Sequence, residues 1–221
     1  MSRFPGDPFT SSGADGSVSQ IYVMNADASD AHAVTHGKAE NIHPTWSPGS
    51  GYVLFDTTHF AARVAAADSD KRPIGDATDD AMDLAVVRPD GEGLRRITTS
   101  GGCTYASYSP DGRFILHRRI RGADSRIAVV NADGTGDHDP SRDSGEDGWP
   151  SWSPDGKRVV FARHVGEDFE IFVMNADGGD VRQLTAAKGR FTNPRWSPDA
   201  KTILCSRGLG SMSLVVFAAP P

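Results

Sequence analysis

The chain has 221 residues with 24 Gly, 14 Pro and 2 Cys, and its 23 basic and 29 acidic side chains leave a formal net charge of −6. That balance, with no stripe of clustered Lys and Arg, excludes nucleic acid as the main partner, because phosphate binding is driven by such clusters. No apolar run is long enough for a membrane span, so membrane insertion is excluded on the same reading.

The chain opens inside a repeating unit. Ser2-Arg3 falls where Ser206-Arg207 falls in the last unit, at the end of a second strand. Residues 5–19 then read as a long polar loop, 20–24 as a third strand and 33–35 as part of a fourth. MSRFPGDPFTSSG carries neither the apolar core nor the cleavage signal of a secretory leader, which places the chain as written in the cytoplasm.

Four first strands follow, near 41–47, 103–109, 148–153 and 192–197, each ending on an aromatic and Ser-Pro: Trp46, Tyr108, Trp152 and Trp196. Tyr108 to Trp152 and Trp152 to Trp196 are both 44 residues, while Trp46 to Tyr108 is 62, the surplus lying in an insertion over 58–81. The unit is clearest in WPSWSPDGKRVVFARHVGEDFEIFVMNADGGDVRQLT, from Trp149 to Thr185. Ser-Pro-Asp-Gly and Asn-Ala-Asp-Gly are turn sequences: proline presets one backbone angle, Asp bonds back to its own backbone, and glycine accepts the positive angle of tight hairpins. Between them lie short stretches rich in β-branched and aromatic residues, read as strands. A four-stranded unit of this period is the signature of a β-propeller, since one small sheet buries its faces only by stacking on its neighbours. The expectation is one all-β domain over 1–221 with repeats near 1–40, 41–99, 103–142, 147–186 and 191–217. It has about four antiparallel blades, or is a truncated or permuted form of a six-bladed ring. In a closed ring the N-terminal strands complete the last blade, leaving 213–217 as a surplus strand.

The pattern W-S-P-D-G-K, a strand, I-[YF]-V-M-N-A-D-G and a strand ending L-T resembles the propeller repeats of the TolB family, relatives of the WD-type repeats. Gly49-Ser50, Ala200 and Arg88-Pro89 depart from it. The resemblance implies a propeller first. It further implies a protein-interaction module of the bacterial cell envelope, with a periplasmic location by analogy. Oligogalacturonate lyases also carry TolB-like repeats, with metal-binding histidines.

In an up-and-down blade, the loops joining second to third strands and fourth strands to the next blade share one face. Both insertions, 5–19 and 58–81, lie on it, and loops on a rigid scaffold are where binding usually resides. The opposite face carries only short hairpins and reads as plain scaffold. His36, His43, His59, His138 and His164 fall on or near the loop face. His43, three residues before Trp46, points to the central channel, and its equivalents Tyr105, Trp149 and Asn193 complete a polar and aromatic ring. His117 matches Phe55, Phe161 and Cys205 and reads as a core histidine. Arg119, Arg163 and Arg207 recur eleven residues after the aromatic and suit carboxylates, of a ligand or of a loop in the adjacent blade. The acidic insertion, from Asp68 to Asp83, lacks an ordered calcium loop and reads as a solvated segment. The four aromatics read as core, and the two cysteines as unbridged thiols.

Two functions follow. In the first, a non-catalytic scaffold with no cofactor presents its loop face, with the 5–19 and 58–81 insertions, to a protein or peptide partner, and His43, Tyr105, Trp149 and Asn193 with Arg119, Arg163 and Arg207 are the candidate ligand-binding residues. In the second, a metal-dependent lyase acts on an anionic, uronate-containing oligosaccharide. His43, His59 and His164 hold a divalent metal that stabilises the developing enolate, and the arginines hold the carboxylate. No nucleophile elbow or phosphate-cradling loop occurs.

Overall fold

A computed structural model describes residues 6–12, 18–61, 79–141, 145–187, 189–208 and 212–220. Five antiparallel sheets follow one another along the chain. The first is β1 (Phe9–Ser11), β2 (Gln20–Val23) and β3 (His32–Ala33); the second is β4 (Asn41–Trp46), β5 (Val53–Thr57), β6 (Asp83–Val87) and β7 (Arg95–Arg96). The third is β8 (Cys103–Tyr108), β9 (Phe114–Arg121) and β10 (Asp124–Asn131), whose outer edge makes isolated bridges from Val129 to His138 and from Ser125 to Glu146. The fourth is β11 (Asp147–Trp152), β12 (Arg158–Val165), β13 (Asp168–Asn175) and β14 (Arg182–Gln183), and the fifth is β15 (Arg190–Trp196), β16 (Thr202–Gly208) and β17 (Met212–Ala218). Among the described residues no helix is long and apolar enough to cross a membrane.

Turn chemistry fixes the hairpins. In the fourth sheet Ser153 Oγ donates to Asp155 Oδ1 (2.6 Å) and accepts from Arg158 N (2.9 Å), while Gly156 takes φ +70°. Ser109 with Asp111 and Ser197 with Asp199 repeat this arrangement. Because side chains alternate across a strand, each sheet has two apolar faces, and the core lies between sheets. Ile21, Val23 and Val34 meet Val53, Phe55, Ala85 and Val87; Leu54, Leu84 and Val86 meet Ile115 and Val130. Leu116, Ile127 and Val129 meet Val159, Phe161 and Met174; Val160, Ala162 and Ile171 meet Ile203 and Cys205.

Three expectations change. The 5–19 loop contains β1, which pairs with β2 in the register Phe9↔Tyr22 and so takes the second-strand place given to Ser2-Arg3. The N-terminal strands do not complete the last blade: they form their own sheet, which packs on β4, while β17 is the regular third strand of the fifth sheet. Four sheets carry an innermost strand ending in an aromatic, as expected, and the N-terminal sheet is the fifth. The aromatics Trp46, Tyr108, Trp152 and Trp196 are half-buried rather than core, because they ring a cavity of about 350 Å³ at the hairpin end of the channel. Cys103 and Cys205 are free and buried.

Candidate functional site

Each first strand carries a bulge at the same place. Pairing of β4 with β5 jumps between Ile42 and Thr45, and equivalent jumps fall at Thr104/Ser107, Gly148/Ser151 and Thr192/Arg195. One residue in each bulge adopts a left-handed backbone: His43 (φ 51°), Tyr105 (56°), Trp149 (50°) and Asn193 (53°). That conformation is uncommon for residues other than glycine, and such outliers cluster where a side chain must be aimed. Proline follows in three of the four, as Pro44, Pro150 and Pro194, where an interrupted ladder asks for no N–H donor.

The bulges turn these side chains into the channel, where they line one cavity of about 550 Å³ with Thr45, Ser107, Ser151 and Arg195. His43 stacks on Tyr105 with ring centroids 4.3 Å apart, and Tyr105 leans on the buried Trp149 at 6.0 Å, so three successive sheets are joined by one row of rings. Trp149 is held from behind by the edge of Phe169 at 5.5 Å, and the Arg190 guanidinium lies 5.0 Å over the Phe169 ring. Asn193 and Arg195 are exposed at the cavity wall.

Asp56, which the sequence reading passed over, organises the polar side of the ring. It is fully buried, and its Oδ2 accepts from His43 Nδ1 at 2.8 Å and from Tyr105 N at 2.9 Å, tying the second sheet to the third. Burial pushes the Asp56 carboxyl up, and the bond to His43 opposes this. Burial of the His43 ring opposes its charge, but the hydrogen bond and charge of Asp56 outweigh it and raise the imidazole above 6.5. The two groups share a hydrogen bond and titrate as a pair. A raised histidine pKa contributes stability that is fully present below pH 6.5 and is lost as pH rises through the folded value. We expect an NMR titration to give His43 a midpoint above 6.5. Asp56→Asn should lower that midpoint, and a wild-type midpoint at or below 6.5 would contradict the assignment.

The remaining predicted site residues lie elsewhere. Arg119 is buried, bonding Asp139 (2.5 Å) and Asp137, and Arg163 grips Asp147 through Nε (2.7 Å) and Nη2 (2.9 Å). Asp147 stands across the ladder from Arg163 on its own sheet's first strand, and Asp137 and Asp139 lie in the segment that follows β10 in Arg119's own repeat, so these carboxylates do not come from the adjacent blade's strands. Arg207 lies over the Phe191 ring at 5.2 Å. Of the histidines proposed for metal, His43 is engaged by Asp56, His59 shares a cavity of about 130 Å³ with His36, and His164 packs on Phe169 at 5.0 Å. Among the described residues no group of three His, Cys, Asp or Glu side chains is arranged to hold a metal ion.

His117 is fully buried as expected. Burial disfavours its charge, yet contacts with Asp137 and Cys103 push it up to about 9. His138 sits on the hairpin face rather than the loop face, where it lines a cavity of about 550 Å³ with Trp152, Phe114 and Lys157. Asp68, Asp70 and Asp76 and most of the 58–81 insertion lie outside the described residues. Asp79 and Asp83 are not solvated: they are buried, 3.5 Å from Arg118 and 2.5 Å from Arg96. Asp56 and Arg195 had a visible signal. Asp56 stands where the other units have Arg118, Ala162 and Ser206, and Arg195 where they have Thr45, Ser107 and Ser151.

No protein-family model and no curated protein matches the sequence. Solved structures do. TolB from Acinetobacter baumannii superposes with a TM-score of 0.73 at 17% identity, over 96% of this chain and 50% of that one. The putative TolB from Agrobacterium tumefaciens gives 0.71 at 15% identity, over 99% and 78%. An oligogalacturonate lyase in complex with manganese gives 0.63 at 15% identity, over 91% and 54%. The chain thus spans half the length of the Acinetobacter protein. Stacked sheets of three or four strands, bulged innermost strands around a channel and these superpositions together identify the fold as a TolB-like β-propeller.

Proposed function

We propose that this chain is a non-catalytic scaffold that takes a protein or peptide partner at the loop-face mouth of its channel. One observation carries the reading: four equivalent left-handed bulge residues from four sheets line a single cavity. His43 and Tyr105 offer a stacked pair of rings backed by the buried Trp149, Asn193 a two-way hydrogen-bonding amide, and Arg195 a guanidinium with no carboxylate partner among the described residues. Such a mixture of rigid aromatic area with a few polar groups is the composition of binding hot spots. The platform is built on strands rather than loops, which favours a preorganised contact.

The lyase reading has less support. Its histidines are not gathered into one donor set among the described residues, and Arg119 and Arg163 are engaged by carboxylates of their own repeats. The scaffold reading is tested by selecting binders from a displayed random-peptide library against the purified chain. Tyr105→Ala and Arg195→Ala should each weaken the selected peptides by about tenfold or more, the scale of a hot-spot truncation. Lys157→Ala, on the hairpin face, should leave them unchanged. Peptides indifferent to both channel substitutions, or turnover of uronate oligomers to an unsaturated product, would overturn the proposal.

A further inference from the structure

On the hairpin face, a side chain of one sheet reaches the turn that follows the third strand of the next sheet. His32 of the first sheet lies with Nε2 3.0 Å from the Pro89 carbonyl. Arg95 of the second donates to the carbonyls of Ala132 and Asp133, both at 3.3 Å. Arg158 of the fourth donates to the Pro220 carbonyl at 2.7 Å and lies over the Trp196 ring at 4.8 Å. These acceptors are equivalent. Ala132, Ala176 and Ala219 each donate their N–H to the residue just before their sheet's second strand, Arg113, Lys157 and Lys201. Asp133, Asp177 and Pro220 therefore hold one place, and Pro89 holds the place of Ala132.

Between the third and fourth sheets this reach is missing among the described residues. His138 stands where His32 and Arg95 do, paired with Val129 as they are with Val23 and Val86. Its Nδ1 binds the Gly136 carbonyl at 2.8 Å, and among the described residues its Nε2 reaches no carbonyl of the fourth sheet. Phe114 stands where Arg158 does, six residues after the aromatic of its first strand, and has no donor to offer. Instead His138, Phe114, Trp152, Ala176 and Asp177 line the cavity of about 550 Å³ on this face. Wider spacing is not the cause. A Cβ on Gly178 would strike the Pro140 carbonyl, just as one on Gly134 would strike the Ile97 carbonyl at the bridged join before it. The carboxylates of Asp155 and Asp177 line the same cavity, bonded within their own turns to Ser153 and Gly179. Against them stands the Lys157 ammonium, while Arg113 is already held by Asp111 at 2.7 Å.

We propose that this crevice takes an arginine side chain of a partner polypeptide. Its guanidinium lies over the Trp152 ring, as Arg158 lies over Trp196, and donates to the Ala176 and Asp177 carbonyls, as Arg95 does to Ala132 and Asp133. A planar fork of donors meets two successive carbonyls and an aromatic face at once, a geometry that suits guanidinium better than ammonium. Two carboxylates on the wall against one ammonium favour a cation as the occupant. The crevice and the channel platform lie on opposite faces and share no residue, so either proposal can fail alone.

An NMR titration of the whole isotope-labelled chain with a blocked Gly-Arg-Gly peptide tests this, read at the Trp152 indole N–H. The arginine peptide should shift that signal to saturation. The same peptide with citrulline in place of arginine should bind at least about tenfold more weakly, the scale for losing a charged hydrogen-bonding group. His138→Arg should abolish binding, because it returns to the crevice the guanidinium that Arg95 supplies one join earlier. Asp177→Asn keeps an acceptor for Gly179 N and should weaken the peptide by about two- to fivefold. His138 is exposed, so its substitution leaves the fold intact, as far-UV circular dichroism would verify. Should it misfold, the citrulline comparison on the wild type keeps the test complete. An unmoved Trp152 signal, equal affinity for the citrulline peptide, undiminished binding to a folded His138→Arg variant, or tighter binding of free L-arginine than of the peptide would overturn the proposal.

Discussion

Phe161→Ala should destabilise the protein by about 3–5 kcal/mol, read as a large fall in the urea midpoint. Phe161 is fully buried on β12, stacked on Phe172, in the cluster where Leu116, Ile127 and Val129 of one sheet meet Val159 and Met174 of the next. A propeller has no single central core, so the loss falls on the seam between two blades. Removing the ring leaves a cavity walled by backbone of both sheets, which cannot collapse far without breaking strand pairing. Against a typical total of about 5–15 kcal/mol for a domain, the loss is a large share of stability. Trp152→Ala should cost less, because its indole is only partly buried at the hairpin mouth of the channel. Equal costs for the two substitutions would contradict the assignment of the core to the inter-blade seams.

Asp147→Ala should be comparably severe, at about 3–5 kcal/mol, the scale for removing one member of a buried ion pair. Asp147 is fully buried and Arg163 is 13% exposed, and the pair faces across β11 and β12 at the edge nearest the loop face. The substitution takes away a bidentate, charge-assisted contact and leaves the guanidinium over the Phe161 and Phe172 rings. Adding Arg163→Met should recover much of the loss, because an apolar side chain of similar length no longer carries a charge into that environment. A double-mutant cycle by chemical denaturation measures this, and simple additivity would show that the pair is not coupled. A structural role for Arg163 also predicts that peptides bound at the channel are unaffected by Arg163→Met.

The blades were legible from the sequence because their determinants are local. Ser-Pro-Asp-Gly folds through contacts between residues two to five apart, such as Ser153 with Asp155 and Arg158. The ring of His43, Tyr105, Trp149 and Asn193 was legible for the same reason, since equal places in equal repeats reach equal places around an axis. What made the ring possible was less visible. The bulge and its left-handed residue leave only a Pro signature in three of four copies. The strand β1 was hidden because Phe-Thr-Ser between polar stretches has no alternation long enough to read, and it forms by pairing with β2. The arginine pattern was visible but its partners were not, because a regular Arg fits a ligand's carboxylate as well as a neighbour's.

The sequence by itself therefore determined the repeat, the hairpins, the four innermost strands and the propeller fold, all of which rest on turn residues and alternation within a few positions. Only the tertiary structure decided that Asp56 joins His43 to the backbone of Tyr105, 49 residues from it in sequence, and that Arg119 and Arg163 are bound within their own repeats. It also decided that Arg95 and Arg158 reach the turn of the next sheet while His138 binds within its own segment. The physical reason is that a side chain's character fixes what it can bind, whereas the stacking of whole sheets fixes which partner, or which water, it meets.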